Sequence, residues 1–316
     1  MKYAARRLFS FLLTMVIVSF LAFMAFDLIS GDPATALLGT EATPEAVAAL
    51  RAEMGLDRPL PVRYGEWLAG FFTGDLGTSY VYHQSVSEII APKIAVTLLL
   101  SFVSFLLIVL ISIPLGLSAA KRSGGVIEAG ETALNQFCMA VPPFFTGMLL
   151  SYLFGVSLKW FMPGMFPDLH TDFGGAMRHI FFAAIAIAIP RIAMTVRMLK
   201  STIQSEMRKD YVRTAISRGN DRSAVLRLHV LKNSLVPVIT FLAQTMAEIV
   251  AGGIVVEQVF AIPGLGRMLV SSISNRDYPM VQAIVVILAL WVVLSGTVAD
   301  LINQRIDPRL QLGGDR

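Results

Sequence analysis

The sequence contains few charged residues and little that suits redox or metal chemistry. Only 15% of its 316 residues are Asp, Glu, Lys or Arg, and Cys138 is its one cysteine. A single cysteine excludes a disulfide framework within the chain. Four histidines are scattered without metal-ligand spacing, so no metal site is predicted and each is expected at a surface or an interface. They are His83, His170, His179 and His229.

Sequence motifs that mark several enzyme classes are also missing. No G-x-x-x-x-G-K-[ST] run is present to cradle phosphates, and Lys200-Ser201-Thr202 lacks the preceding glycines. Neither H-E-x-x-H nor G-x-S-x-G occurs. The chain is therefore not expected to hydrolyse ATP or to be an enzyme of these classes.

Apolar residues make up 55% of the sequence and gather in long runs. A helix of about 20 such residues crosses the roughly 30 Å hydrocarbon core of a bilayer. Five runs meet this condition: Leu8–Phe26, Ile94–Ala120, Phe137–Leu158, Leu235–Val256 and Tyr278–Ala299. The first run could also be a cleaved signal peptide. It is longer than a typical signal core and lacks a clear small-x-small cleavage site, so we interpret it as a span.

A sixth candidate span, Ile180–Leu199, is weaker because it contains Arg191 and Arg197. Positive charge nearby settles its interpretation. Residues 200–232 carry eight basic and three acidic side chains, and Lys121 and Arg122 follow the second span. Short basic loops lie in the cytoplasm, so an even number of crossings must separate these two loops and Ile180–Leu199 must supply one of them.

The segment between the first two spans has the opposite charge. Residues 29–92 carry three arginines against eight acidic residues, a net charge of −5, and both termini are basic. These charges predict an all-α integral membrane protein with six transmembrane helices and both termini in the cytoplasm. The formal net charge of +4 reflects this topology, and no nucleic-acid partner is predicted.

This topology divides the chain into three parts. Residues 1–28 form the first transmembrane helix, residues 29–93 an extracytoplasmic segment, and residues 94–316 a five-helix core with a cytoplasmic loop at 200–235. In the extracytoplasmic segment, apolar spacing predicts short helices over Glu45–Met54 and Tyr64–Phe72.

The residue pattern of the cytoplasmic loop predicts two short amphipathic helices. The first covers Ser205–Arg218 and ends at Gly219, which tolerates a positive φ. The second covers Arg222–Ser234, with Asn220-Asp221 as its cap. Two interpretations remain open on this physical evidence: the helices lie among lipid headgroups, or they present a surface to another protein.

Within this loop, Asp210-Tyr211-Val212-Arg213-Thr214-Ala215, then Gly219 and His229-Val230-Leu231, resemble the "EAA" loop of ABC-importer permeases, in the dipeptide, oligopeptide and nickel branch. Arg213 and Thr214 replace the first two letters of the motif, and Lys232 stands where the family has proline. The resemblance covers essentially the whole chain. Its further segments are Leu50–Pro61, Gly74–Ser79, Val256–Phe260, Pro263–Arg267, Asn275–Pro279 and Asp307-Pro308-Arg309.

The resemblance implies a permease of the bacterial inner membrane that forms half of a solute pathway. Its expected partners are a second homologous permease subunit, two ABC ATPase subunits that bind ATP and Mg²⁺, and an extracytoplasmic solute-binding protein. No cofactor is expected in this chain itself. The residues that match the ATPase-docking motif are Asp210, Tyr211, Arg213, Thr214, Ala215, Gly219, His229 and Leu231.

The solute and its path stay open at the sequence level. Peptides are the expected solute by their frequency in the branch, with nickel or other metal chelates and opines as alternatives. Glu248 lies inside a span, where it either pairs with Arg191 or Arg197 or serves the pathway; Glu257 suits a gate or the binding-protein surface. A self-sufficient secondary transporter or channel would show internally repeated halves, and no convincing repeat is present.

Overall fold

The computed structural model describes residues 2–29, 33–39, 43–122 and 125–306, which are predominantly helical and contain no β-strand. The motif Asp307-Pro308-Arg309 lies outside the described residues. The helices are α1 (Lys2–Ile29), α2 (Pro33–Leu38), α3 (Pro44–Glu53), α4 (Leu60–Thr73), α5 (Val86–Lys121), α6 (Gly125–Ala140), α7 (Pro143–Leu150), α8 (Phe173–Glu206), α9 (Asp210–Ser217), α10 (Arg222–Val225), α11 (Leu231–Val259), α12 (Leu265–Ser274) and α13 (Tyr278–Ile306).

Four helical stretches of the described chain are long and apolar enough to cross a membrane. They are Val86–Lys121, Phe173–Glu206, Arg222–Val259 and Tyr278–Ile302. A fifth is added if α6 and α7 form one broken span, and α1 contributes a shorter apolar run, Phe9–Met24. The prediction of an all-α membrane protein is confirmed. Six crossings and cytoplasmic termini stay predictions.

The third predicted span contains a sharp break. Phe137–Leu158 is continuous in hydropathy, yet α6 ends at Ala140, α7 begins at Pro143, and the two helices meet at a bend of 95°. Proline lacks an N–H donor and disfavours α-helical geometry at the residue before it. Two consecutive prolines therefore break the helix, and Pro142 is extended (φ −65°, ψ 143°).

The chain divides into two units, one of Met1–Thr97 with Pro263–Val293 and one of Leu98–Ile262 with Leu294–Arg316. The predicted division at residues 28 and 93 stays a prediction. In the second unit, α8 packs against α6, α7 and α11 and is the most buried of the four long spans. Small side chains make this close packing feasible. Those fully or almost fully buried on α8 are Ala176, Ala183, Ala184, Ala186, Ala188 and Ala193.

Polar contacts hold the bent α6 against α8. Lys200 Nζ lies 2.8 Å from Glu128 Oε1, and Asn135 Nδ2 donates to the carbonyl oxygen of Ala193 at 3.0 Å. At the other end of α8, the fully buried His179 forms a 2.9 Å hydrogen bond between Nε2 and the carbonyl oxygen of Phe260. The expectation of a surface or interface position is wrong for His179, because surrounding aromatic rings enclose it.

In the first unit, α4 packs against α1 through aromatic side chains. The Tyr64 hydroxyl hydrogen-bonds with Ser19 Oγ at 2.8 Å, and the rings of Phe23 and Tyr64 meet edge to face. The Arg63 guanidinium lies 5.6 Å from the centre of the Phe23 ring, within the range of cation–π attraction. The helices predicted over Glu45–Met54 and Tyr64–Phe72 are present as α3 and α4.

A buried carboxylate joins two distant segments of the first unit. Asp277, 1% exposed, accepts hydrogen bonds from Ser79 Oγ and, at 3.1 Å, from the Tyr80 backbone N–H. Burial is also the main reason why the pKa of Tyr80 is raised. The segment after α4 is thereby fixed to the turn between α12 and α13.

Replacing Asp277 with Asn should destabilise the first unit. Asparagine removes the charge from buried hydrogen bonds, and bonds to charged groups contribute about 1.5–3 kcal/mol each. The thermal unfolding midpoint of the purified protein should fall clearly in this variant. Glu66→Gln is a matched control, because its ion pair with Arg58 is more than half exposed and worth under about 1 kcal/mol. Equal midpoints for both variants would contradict the role given to Asp277.

Gly116→Ala should loosen the packing of α5 on α8 within the second unit. A Cβ at Gly116 would lie 2.8 Å from Leu199 Cδ2 and 3.1 Å from Leu199 Cβ, and such overpacking costs about 1–3 kcal/mol. The same change at Gly296 meets no atom within 4 Å and should be tolerated. The measurement is the thermal unfolding midpoint of the purified protein. Adding Leu199→Ala to Gly116→Ala should recover part of the lost stability. If it recovers none, the clash with Leu199 is not the cause of the loss.

Candidate functional site

In the segment 200–235, which we call the inner loop, the first short helix begins later than the sequence pattern predicts. The predicted helix Ser205–Arg218 is wrong at its start, because α8 continues to Glu206 and α9 begins only at Asp210. Lys209 is extended (φ −75°, ψ 152°) and separates the two helices. Asp210 in the first turn of α9 is favourable for the helix dipole.

Four side chains connect α9 to the helices on either side of the loop. The Tyr211 hydroxyl donates to Glu206 Oε2 at 2.9 Å and accepts from Asn233 Nδ2 at 3.3 Å. Lys209 Nζ pairs with Glu206 Oε1. Burial is the main cause of the raised pKa of Tyr211, with a further contribution from the Glu206 carboxylate, so the phenol keeps its proton for this bond at neutral pH. We call Glu206, Tyr211 and Asn233 the loop clamp.

One face of α9 is buried and the other is open. Val212 is 1% exposed, whereas Arg213, Thr214, Ile216 and Arg218 are exposed and Ala215 is half-buried. Arg213 lies 3.7 Å from Asp210, and both side chains are more than three-quarters exposed, so this pair adds little to stability. α9 thus presents a largely polar and basic face with one apolar side chain, Ile216.

The end of α9 matches the sequence prediction. Gly219 has φ +86°, a conformation that L side chains rarely adopt. Asn220 closes this helix by donating its backbone N–H and side-chain Nδ2 to the carbonyl oxygen of Ala215, at 3.4 and 3.0 Å. Asp221 is the cap of α10, accepting from the backbone N–H groups of Ser223 and Ala224 at 2.9 and 3.3 Å.

The second predicted helix, Arg222–Ser234, is wrong as a separate element. It continues through a π-helical segment at Leu226–Val230 directly into α11, so one helical stretch covers Arg222–Val259. Lys232 occupies the place of the family's proline, and Pro237 lies inside α11 without ending it. His229 is exposed and Leu231 half-buried on this continuous stretch. A separate second helix lying among headgroups is therefore excluded.

The two acidic residues predicted for the pathway lie on α11, outside the inner loop. Glu248 forms an ion pair with Arg191 of α8, which is one of its two predicted partners. Glu257 is 1% exposed, and its carbonyl oxygen accepts from the Ile262 N–H at 2.9 Å. Across the part of the chain that the structure describes, no group of three His, Cys, Asp or Glu side chains could hold a metal ion.

Glu206 and Asn233 are functional candidates that the sequence pattern missed. Both lie outside the motif, 5 residues before and 22 after Tyr211. The one local signal was an acidic residue close to a tyrosine in a basic loop. Glu206 and Asn233 both reach Tyr211 because the start of α11 lies beside the end of α8. The spacing of apolar residues in the sequence does not indicate this contact between helices.

Comparison with known proteins gives matches over almost the whole chain. The family model of the binding-protein-dependent transport system inner membrane component matches residues 112–312, and its N-terminal companion model matches residues 1–101. A Sinorhizobium fredii protein named "probable peptide ABC transporter permease protein" is 31% identical, covering 98% of this chain and 99% of its own length. The oligopeptide transport system permease protein AppB of Bacillus subtilis is 35% identical, covering 93% and 94%. The chain belongs to the family of inner membrane components of binding-protein-dependent transport systems.

Proposed function

We propose that this chain is the permease subunit of an ATP-driven importer and forms half of a membrane pathway for peptides. The loop clamp is the observation that carries the coupling role. The family and the full-length similarity to peptide permeases support the transport function and the solute class. The protein is a multi-pass component of the inner membrane, with both termini in the cytoplasm.

The clamp gives α9 the mechanical connection that coupling needs. Glu206 belongs to α8, Asn233 to α11, and both hydrogen-bond with the Tyr211 hydroxyl. A force on α9 is therefore transmitted into two spans rather than absorbed by a flexible loop. Rigid-body displacement of packed helices is an established means of converting a local contact into a global change.

The proposed partner for this loop is an ATPase subunit, one of two in the transporter. α9 offers the short exposed helix that such a docking surface requires, with Ala215 and Gly219 allowing close approach and Arg213 and Arg218 at the rim. Rim charges mainly set orientation and association rate. Hydrolysis of ATP, with its Mg²⁺, belongs to the partner, while a second homologous permease completes the pathway and an extracytoplasmic binding protein delivers the solute.

A cysteine at Ala215 should crosslink to the ATPase subunit in the assembled transporter. The background is Cys138→Ser, which removes the one native cysteine. Val126→Cys is the matched control, because Val126 is 89% exposed and lies on α6 rather than on α9. We expect a short bifunctional reagent to give the crosslinked product at Ala215 and not at Val126. Equal products at both positions would contradict docking through α9.

Gly219→Val should uncouple ATP hydrolysis from uptake, whereas Gly219→Asn should retain most coupling. A positive φ costs an ordinary residue about 1–2 kcal/mol, and asparagine tolerates it better than a β-branched residue. No atom lies within 4 Å of a Cβ at this glycine, so backbone conformation alone separates the two variants. The measurement is solute uptake per ATP hydrolysed in proteoliposomes. Unchanged uptake in the valine variant would remove the coupling role, and uptake without any ATPase subunit would exclude an ATP-driven importer.

A further inference from the structure

The exposed faces of most spans are strongly apolar. α1, α5 and α13 all present large hydrocarbon side chains, as expected for surfaces that meet lipid or apolar helices. Examples are Phe9, Leu12, Val16 and Phe20 on α1; Phe102, Leu106 and Leu110 on α5; and Val292, Leu294, Val298 and Leu301 on α13.

α11 departs from this pattern. Between Ser234 and Val259, all of which the structure describes, the exposed residues are Gln244, Glu248, Ala251, Val255 and Gln258. They are spaced three or four residues apart, so they share one helix face. We call this face the α11 stripe. Three of its five members are polar, and Val255 is its only large apolar side chain.

An ion pair lies on the stripe. Arg191 reaches across from α8 to the Glu248 carboxylate, with the Arg191 side chain 27% exposed and that of Glu248 50% exposed. A charged residue at the centre of a span costs at least about 2.5–3.5 kcal/mol when it faces lipid. A half-exposed pair with Gln244 one helical turn before it is therefore costly in a lipid-facing position and suits a wet passage.

We propose that the α11 stripe lines the solute passage and that Arg191 and Glu248 recognise the two charged termini of a zwitterionic solute. This inference rests on the proposed function and adds to it a binding element for free peptides. A guanidinium binds a carboxylate through two parallel hydrogen bonds, and a carboxylate accepts from an ammonium group. A free peptide can therefore open the pair while supplying each side chain with a new opposite charge.

The remaining members of the stripe fit the same solute. Gln244 lies four residues before Glu248 and adds an amide donor and acceptor that suit a peptide backbone. The small side chain of Ala251, three residues after Glu248, leaves space beside the pair. Exchange of one ionic partner for another matters because a charge inside a span is costly when it has neither an opposite charge nor water.

Water accessibility tests the location of the stripe without altering the ion pair. In the Cys138→Ser background, single cysteines replace Gln244 and Ala251 on the stripe, or Leu106 and Leu110 on α5 as lipid-facing controls. In the reconstituted transporter, a charged membrane-impermeant thiol reagent should modify the two stripe cysteines and spare the two controls. Inert stripe cysteines, or disulfides formed through them between permease subunits, would overturn the proposal and assign the stripe to a subunit interface.

Transport selectivity tests the recognition step. The probes are unblocked alanine peptides of two to five residues and their N-acetylated counterparts, supplied with the same binding protein. Glu248→Gln should lower the ratio of unblocked to acetylated uptake about tenfold, because one charge-assisted contact is lost. For Arg191 the comparison is between unblocked peptides and C-amidated peptides, which lack the free carboxylate. Arg191→Gln should lower the ratio of unblocked to C-amidated uptake to a similar extent. Glu66→Gln is the control that should leave both ratios unchanged.

The outcomes separate this inference from the proposed function. Wild-type transporter that carries none of these peptides would contradict the peptide-importer function itself. Wild-type uptake with an unchanged ratio in Glu248→Gln would contradict only the recognition role of the pair. If Glu248→Gln fails to assemble, the accessibility measurement decides, since it keeps both charged residues.

Discussion

A charge inside a bilayer needs either an opposite charge or water, and this constraint governs where the chain places its few ionisable side chains. In the second unit, Lys200 pairs with Glu128, Arg191 with Glu248, and Lys209 with Glu206. Each of these pairs joins two helices or a helix and the loop that follows it. Charge pairing therefore also determines which helices are fixed to each other.

A buried carboxylate outside the spans has a similar requirement, and in the inner loop it fixes α9 to the neighbouring helices. Glu206 is almost completely buried, so its carboxylate requires the donors that Lys209 and Tyr211 provide. Satisfying that carboxylate fixes the first turn of α9, and Asn233 extends the contact to α11. The connection between α9 and the two neighbouring helices, on which the proposed coupling role depends, is in this way built from the hydrogen-bonding requirement of one acid.

Hydropathy and local chemistry predicted much of this fold, and their limits have physical causes. The all-helical apolar architecture, the glycine at 219 and the cap at Asp221 follow from local signals, and all three are present in the structure. Hydropathy alone does not reveal the break at Pro142, because it does not register the missing N–H of proline. The sequence does not reveal the continuous Arg222–Val259 stretch. Its polar first residues are typical of a short separate helix, whereas in the structure they continue into an apolar span.

The candidate site shows the same division between local and distant information. The residues of α9 follow one another in a recognisable motif, so the sequence was sufficient to find them. The loop clamp and the Arg191–Glu248 pair join residues 22 and 57 positions apart, and only the packing of α8 against α11 brings them together. Glu248 itself was visible in the sequence, but its partner could not be chosen between two arginines of the same helix.

The π-helical segment at Leu226–Val230 has a consequence for the angular position of everything after it. A π-turn holds about one residue more than an α-turn, and each residue of an α-helix advances it by roughly 100°. The side chains of α11 are therefore rotated about the helix axis relative to where an unbroken α-helix from Arg222 would place them. The direction in which Glu248 projects from the helix axis toward Arg191 is therefore set partly by this widened turn, near the Arg222 end of the same helical stretch.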